Sequence, residues 1–242
     1  MAPASQRFVR YELRTLDLEK ARAFYQAVFG SDFWRQPPLS LSQLPERAVA
    51  MGAPAHWLGM IGVSAFDRIL AGVLGAGAQP LGPRRDHGGV AQAAFRDPFG
   101  AVLGMTSEAP AAEVDPVAWR MLHVHDDAHA MTWYAAQFGW VAREADTFTA
   151  HDNQTARRQS FAWGPEEDAA GSVANTARLT GVHTHWLYYF RVPNLADAAA
   201  RVQDQGGTTL PAAETASGDR LAACEDSQGA AFGLFQSSAH TG

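Results

Sequence analysis

Two stretches of this chain repeat earlier ones, and that duplication limits the possible folds more than any other feature. Residues 8–30, FVRYELRTLDLEKARAFYQAVFG, align without a gap with residues 117–139, VAWRMLHVHDDAHAMTWYAAQFG, at an offset of 109 and with seven identities in twenty-three positions. The identical pairs include Asp17/Asp126, Tyr25/Tyr134, Phe29/Phe138 and Gly30/Gly139. Residues 54–105 align with 183–234 at an offset of 129, with fifteen identities in fifty-two positions. Here His56-Trp57-Leu58 matches His185-Trp186-Leu187, and Asp97, Gly100, Ala101 and Gly104 match Asp226, Gly229, Ala230 and Gly233. The change of offset places twenty additional residues between Gly139 and His183. Two gapless blocks in the same order indicate a duplicated domain. The expected organisation is a first domain over residues 7–107, a linker over 108–116 (EAPAAEVDP) and a second domain over 117–237.

Each half opens twice with a strand followed by a helix. FVRYELRT reads as a strand, Asp17 is placed to cap a helix with apolar Leu18, Ala21, Phe24, Tyr25 and Val28 at helical spacing, and Gly30 ends it. HWLGMIGV then leads into a helix with the stripe Phe66, Ile69, Leu70, Val73 and Leu74, stopped at Gly75 and Gly77. In GVAQAAFRDPFGAVLGMTS, Asp97-Pro98-Phe99-Gly100 is a turn between two apolar strands. The order β-α-β-β-β, twice per half, gives an α+β class. Ser31–Pro54 is short for outer strands, so the first domain's cup is expected to be trimmed or partly closed, and GPEEDAAGSVANTARLTG in the second half reads as a mobile flap or a disordered loop.

Composition narrows the partners. Nineteen Lys and Arg against twenty-five Asp and Glu give a net charge of −6, with no polybasic run, so nucleic acid is not expected. No stretch of eighteen apolar residues and no signal peptide stand out, so no membrane association is expected. The single cysteine, Cys224, forms no intramolecular disulfide and no Cys-based zinc site, which suits a reducing cytoplasm. No P-loop, Rossmann glycine pattern or strained nucleophile turn is present.

The sequence resembles the superfamily of glyoxalases, bleomycin-resistance proteins and extradiol dioxygenases, the vicinal oxygen chelate fold. The residues that carry the resemblance are Asp17…Phe24-Tyr25…Phe29-Gly30, its copy Asp126…Trp133-Tyr134…Phe138-Gly139-Trp140, and the strand ends DPFGAVLGM and DSQGAAFGL. RYELRTLDLEKARAFY and HWLYYFRVPNLADAAARVQDQGGTTL look most like its tandem, two-domain branch of the mycobacterial 30-kDa antigen type. The resemblance implies tandem domains, each built from paired βαβββ modules forming an open curled sheet around a small molecule, often with a metal. It also implies ligand positions seven residues before each helix-capping Asp, seven before each second helix, and seven after the Asp of the DPxG turn. Those positions hold Arg10 and Trp119, Leu58 and Leu187, and Gly104 and Gly233, none of which ligates a divalent cation. A fourth position falls in divergent strands near Ala48–Gly52 and Ser160–Gly164.

If the ligand position marks the inward face, alternation places Arg10, Glu12 and Arg14 inward in the first domain, and Trp119, His123, Tyr189, Arg191 and Phe235 inward in the second. The first set suits an anionic small molecule or an internal ion pair, the second a flat or aromatic ligand bearing an acid group. His123 and His125 share one strand face and His183 and His185 another, which allows a non-standard metal site. The equivalence of His56 and His185 beside a repeated Trp instead suits structural histidines. The reading expected from sequence is a metal-independent, cofactor-free, cytoplasmic protein, a monomer of two domains or a homodimer, that binds a small organic ligand. The alternative is a lyase, isomerase or hydroxylase-like enzyme using His123, Tyr189 or Glu12, or a non-standard metal site.

Overall fold

The computed structural model describes residues 6–109, 115–150, 154–215 and 217–238. Much of the expected linker, residues 110–114, lies outside the described residues. The first half begins with β1 (Phe8–Thr15), α1 (Leu18–Phe29), β2 (Leu39–Gln43) and a short α2 (Glu46–Ala50). It continues with β3 (His56–Gly62), α3 (Phe66–Gly75), β4 (Gln79–Pro80), β5 (Arg85–His87), β6 (Val90–Arg96) and β7 (Val102–Thr106). The second half holds β8 (Val117–His123), α4 (Asp127–Phe138), β9 (Val141–Thr149), β10 (Thr155–Ala162) and β11 (Gly171–Ala174). After these come β12 (His185–Arg191), α5 (Leu195–Asp204), β13 (Thr208–Thr209), β14 (Ala213–Glu214), β15 (Arg220–Glu225) and β16 (Ala231–Gln236). The mixed α+β class expected from the repeat is what the chain forms.

The helix boundaries follow from their caps. Asp17 accepts from Lys20 N–H at 3.1 Å, and Asp126 from His129 N–H at 3.0 Å, each satisfying an amide that the first turn leaves without a partner. Asn194 does the same for Asp197 at the start of α5. Gly139 ends α4 at φ 73°, where a side chain would be strained.

The described contacts divide the chain into two compact units, and each draws on both halves. The first comprises the chain up to Val9, Gly59–Pro110 and Arg120–Trp186. In it β3 pairs in parallel with β7, β7 antiparallel with β6, and β6 carries β4 and β5. A second ladder there runs β8-β11-β10-β9, with β8 and β11 parallel. The second unit comprises Arg10–Leu58, Ala111–Trp119 and the chain from Leu187 onward. In it β1 pairs in parallel with β2, β12 in parallel with β16, and β16 continues to β15, which carries β13 and β14.

The identities of the repeat reappear as core hydrogen bonds. In the first unit Trp186 Nε1–H donates to Tyr134 Oη at 3.0 Å, and Tyr134 Oη–H donates to Asp97 Oδ2 at 2.6 Å. Burial raises the Asp97 carboxyl above its usual range, opposed by the bonds it accepts from Tyr134 and from the Ala101 and Phe99 amides. In the second unit Trp57 Nε1–H donates to Tyr25 Oη at 2.8 Å. Tyr25 approaches Asp226 without a bond of normal geometry, and burial, then this carboxylate, push its phenol well up. Stacked and edge-on rings pack around each chain, Trp140 on Phe161 at 4.5 Å in the first unit and Phe29 on Phe33 at 4.6 Å in the second.

The middles of the two halves differ. After α1 there is one five-residue strand, β2. The segment read as a flap in the second half instead contains β11, a four-residue strand with every residue buried. Its small side chains look like loop composition but suit a strand held tightly between neighbours. An added Cβ on Gly171 would lie 2.3 Å from the Arg120 carbonyl oxygen and 2.7 Å from the Phe161 ring, so only glycine allows this approach.

Candidate functional site

In the second unit, alternation along β1 sorts the side chains cleanly. Tyr11 and Leu13 are fully buried, while Arg10, Glu12 and Arg14 are half-buried on the opposite face. The parallel register puts Glu12 opposite Ser40 and Arg14 opposite Ser42. Ser42 Oγ–H donates to Glu12 Oε1 at 2.5 Å, Arg14 donates to Glu12 Oε2 through Nη2 at 3.1 Å and Nε at 3.3 Å, and Arg10 Nε–H reaches Ser40 Oγ at 3.4 Å. The internal ion pair is thus Glu12 with Arg14. Sequence reasoning missed the two serines. The signal was the alternation of LSLSQ, whose Leu39 is buried while the serines share the polar side.

His56, at the start of β3, the strand hydrogen-bonded beside β1, belongs to the same polar group. Its Nδ1 lies 2.9 Å from the Pro54 carbonyl oxygen, which can only accept, so Nδ1 carries the proton and the neutral ring keeps its lone pair on Nε2. Burial lowers its pKa, the Pro54 bond opposes that, and Arg14 (lowering) and Glu12 (raising) are the charges that act on it.

His123 is in the first unit, at the end of β8. Its Nδ1 is 2.5 Å from Thr176 Oγ1, and its Nε2 is buried without a hydrogen-bond partner among the described residues. His185 stacks on it at 4.6 Å and 16°, and His183 packs against His185 at 4.6 Å and 31°. His185 Nδ1–H donates to the His183 carbonyl at 2.8 Å, fixing the tautomer as in its repeat partner His56. Burial and then the neighbouring imidazoles push His123 well down, and burial takes His185 to about 4. The three rings lie nearly face to face, so their nitrogens do not converge on one point. His125, in the bend that follows β8 and not on the strand, and His129, in the first turn of α4, stand apart and exposed.

Tyr189, Arg191 and Phe235 come together in the second unit. Tyr189 is opposite Gly233 and Arg191 opposite Phe235 in the β12–β16 register. The Tyr189 ring lies so flat on Gly233 that an added Cβ would be 2.1 Å from Cδ1. The Arg191 guanidinium sits 6.0 Å over the Phe235 ring. Trp119 is half-buried on β8, two residues after Val117. Among the described clefts, one of about 470 Å³ lined by Arg143, Ser160 and Glu166 contains none of these residues. Another of about 350 Å³, lined by Val28, Pro193 and Arg201, takes in Arg191 alone.

No protein-family model matches the chain. Among proteins of known sequence it is similar to CFP32 of Mycobacterium bovis and of Mycobacterium tuberculosis, provisionally named a glyoxylase, at 26% identity over 93% of this chain and 92% of the relative. Among solved structures it superposes on the 2,3-dioxygenase LapB from Pseudomonas sp. KL28 with a TM-score of 0.63, at 11% identity, covering 98% of this chain and 93% of that one. The chain has the fold of the vicinal oxygen chelate proteins. The Mn(II)-bound glyoxalase from Novosphingobium aromaticivorans shares the fold at a TM-score of 0.60 and 13% identity, over 97% of this chain and 82% of that one. So does homoprotocatechuate 2,3-dioxygenase from B. fuscum, at 0.63 and 15%, over 97% of this chain and 72% of that one.

The metal of the vicinal oxygen chelate fold can be tested against the side chains present. The caps at Asp17, Asp126 and Asn194, with Ala65 at the start of α3, place the helix starts where the ligand count requires them. Counting from them reaches Arg10, Trp119, Leu187 and Leu58, and from the turns at Asp97 and Asp226 reaches Gly104 and Gly233. None offers a lone pair suited to a divalent cation, Leu58 and Leu187 are buried, and at Gly233 the Tyr189 ring fills the space a carboxylate would need. These residues do not fit the metal. Among the described residues no group of three or more His, Cys, Asp or Glu is arranged to hold one elsewhere, and no described helix is long and apolar enough to cross a membrane.

Proposed function

We propose that this vicinal oxygen chelate protein binds a small organic acid without a metal, as a cytoplasmic monomer or homodimer with the halves 7–107 and 117–237 as its repeating domains. The observation that carries the reading is the half-buried strip of Arg10, Glu12 and Arg14, backed by Ser40 and Ser42. It stands on the strand face where the fold's first metal ligand would be. Arginine forks prefer planar carboxylates and phosphates, and in this strip the guanidiniums are pre-oriented by hydroxyls and by Glu12. The flat Tyr189 and Phe235 rings and Arg191 extend the preference to aromatic acids. The test is calorimetric titration with aromatic and aliphatic carboxylates in the presence of EDTA, together with metal analysis of the purified protein. Binding that survives chelation and is lost in Arg10→Ala or Arg14→Ala is the expected outcome, and a stoichiometric metal whose removal abolishes binding would overturn it.

A second reading, an isomerase or lyase, is favoured by one observation. His123 is held neutral, with Nδ1 fixed by Thr176 and Nε2 without a partner among the described residues, as a general base would be. It predicts turnover that His123→Ala abolishes while folding is retained, with Tyr189→Phe and Glu12→Gln separating the other candidates.

A further inference from the structure

The two halves place a histidine at the same repeat position, before a tryptophan that donates to a tyrosine, and lock it as the same tautomer through the carbonyl two residues earlier. Their surroundings differ. His185 stands between two other imidazoles, His123 and His183. Among the described residues His56 makes no ring stack, and the charged groups acting on it are Arg14 and Glu12, both from β1; its own strand, β3, carries none. Ser40 and Ser42 of β2 complete the polar group. The Pro54 carbonyl accepts the Nδ1–H hydrogen bond, so Nε2 is the only basic nitrogen, and no described residue bonds to it. Arg14 spends Nε and Nη2 on Glu12, which leaves Nη1 without a protein acceptor among the described residues.

These two atoms suit different forms of one ligand group. Arg14 Nη1 offers a fixed positive donor, whereas neutral His56 offers only a lone pair, which repels an anionic oxygen. An oxyanion that settles beside Arg14 gains a second charge-assisted bond if Nε2 takes up a proton. From this geometry we infer that carboxylate binding at this face is proton-coupled, with His56 Nε2 protonated in the complex and neutral in the free protein. The step forms one N–H bond, takes its proton from solvent, and needs no other reactant. The inference rests on the organic-acid reading above and adds the group that sets its pH dependence.

The probe is benzoate, titrated calorimetrically at pH 7 in buffers of different ionisation enthalpy, whose slope gives the protons taken up per ligand. The expected result is uptake approaching about one proton, with affinity falling toward about tenfold per pH unit between the pKa of the free protein and that of the complex. His56→Asn keeps a donor for the Pro54 carbonyl and removes the basic nitrogen. It should bind benzoate with no uptake and a flat pH profile. A histidine NMR titration of the wild type should show the His56 pKa rising when benzoate is added. Benzoate binding with no proton uptake, or uptake unchanged in His56→Asn, overturns this inference and leaves the organic-acid reading standing. No benzoate binding at any pH between about 5 and 9 overturns both.

Discussion

Acidification should unfold the chain along a slope to which His185 contributes separably. Its imidazole is buried and held at about 4 in the folded protein against an ordinary value of 6.5. Above pH 6.5 the ring is neutral whether the chain is folded or not, and it adds no pH dependence. Below that, the unfolded chain binds a proton that the folded chain refuses, so stability falls as pH falls, until the folded ring titrates near pH 4. Each unit of difference corresponds to about 1.4 kcal/mol, so the gap contributes a loss of roughly 3 kcal/mol between pH 7 and pH 4. His123, stacked on His185 and pushed down by its own burial, adds to the same slope. Urea unfolding at several pH values from 7 to 4.5 measures it, set against His185→Asn, which preserves a donor for the His183 carbonyl. The variant should lose stability with acid less steeply than the wild type, by up to about one proton's worth of slope. Identical slopes would refute the claim that burial of this ring depresses its affinity for protons.

Three further outcomes test the packing. Tyr134→Phe removes the donor to buried Asp97 and the acceptor for Trp186, and should destabilise the chain by about 2 kcal/mol in urea unfolding; Tyr25→Phe, which loses no well-formed bond to Asp226, should cost less. Gly171→Ala places a methyl group against the Arg120 carbonyl and Phe161, with a loss of about 1–3 kcal/mol and disturbed β8–β11 amide signals in NMR. Asp126→Ala exposes the first amides of α4, and a loss of about 1 kcal/mol is expected in thermal or urea unfolding.

Much of the scaffold could be read from local chemistry. Asp17, Asp126 and Asn194 announce helix starts because a short acceptor side chain before an apolar stripe has one cheap use. The repeated Asp97/Asp226 turn is equally local, since one carboxylate oxygen satisfies the amides two and four residues on. The strip Arg10, Glu12, Arg14 follows from alternation alone. What escaped the sequence was set by neighbours distant along the chain. GSVA reads as loop because its side chains are small, and only the closeness of Arg120 and Phe161 shows why they must be. His56 and His185 look equivalent in the repeat, and become different only through Arg14 and Glu12 in one case and His123 and His183 in the other. The partner of Glu12 was likewise undecidable from spacing, since Arg10 and Arg14 are both two residues away on the same face.

The Trp186–Tyr134–Asp97 chain bonds a side chain of the first half to two of the second, and Trp57 and Tyr25 of the first half share their unit with Asp226 of the second. Neither half, cut free in the linker, would therefore carry a finished interior. Each fragment would expose aromatic rings and, in Asp97 or Asp226, a carboxylate shaped for burial. Two such fragments made separately should remain unstructured until mixed. Intact chains at high concentration have in this arrangement a ready route to exchanging halves, with one copy supplying the tyrosine and another the aspartate.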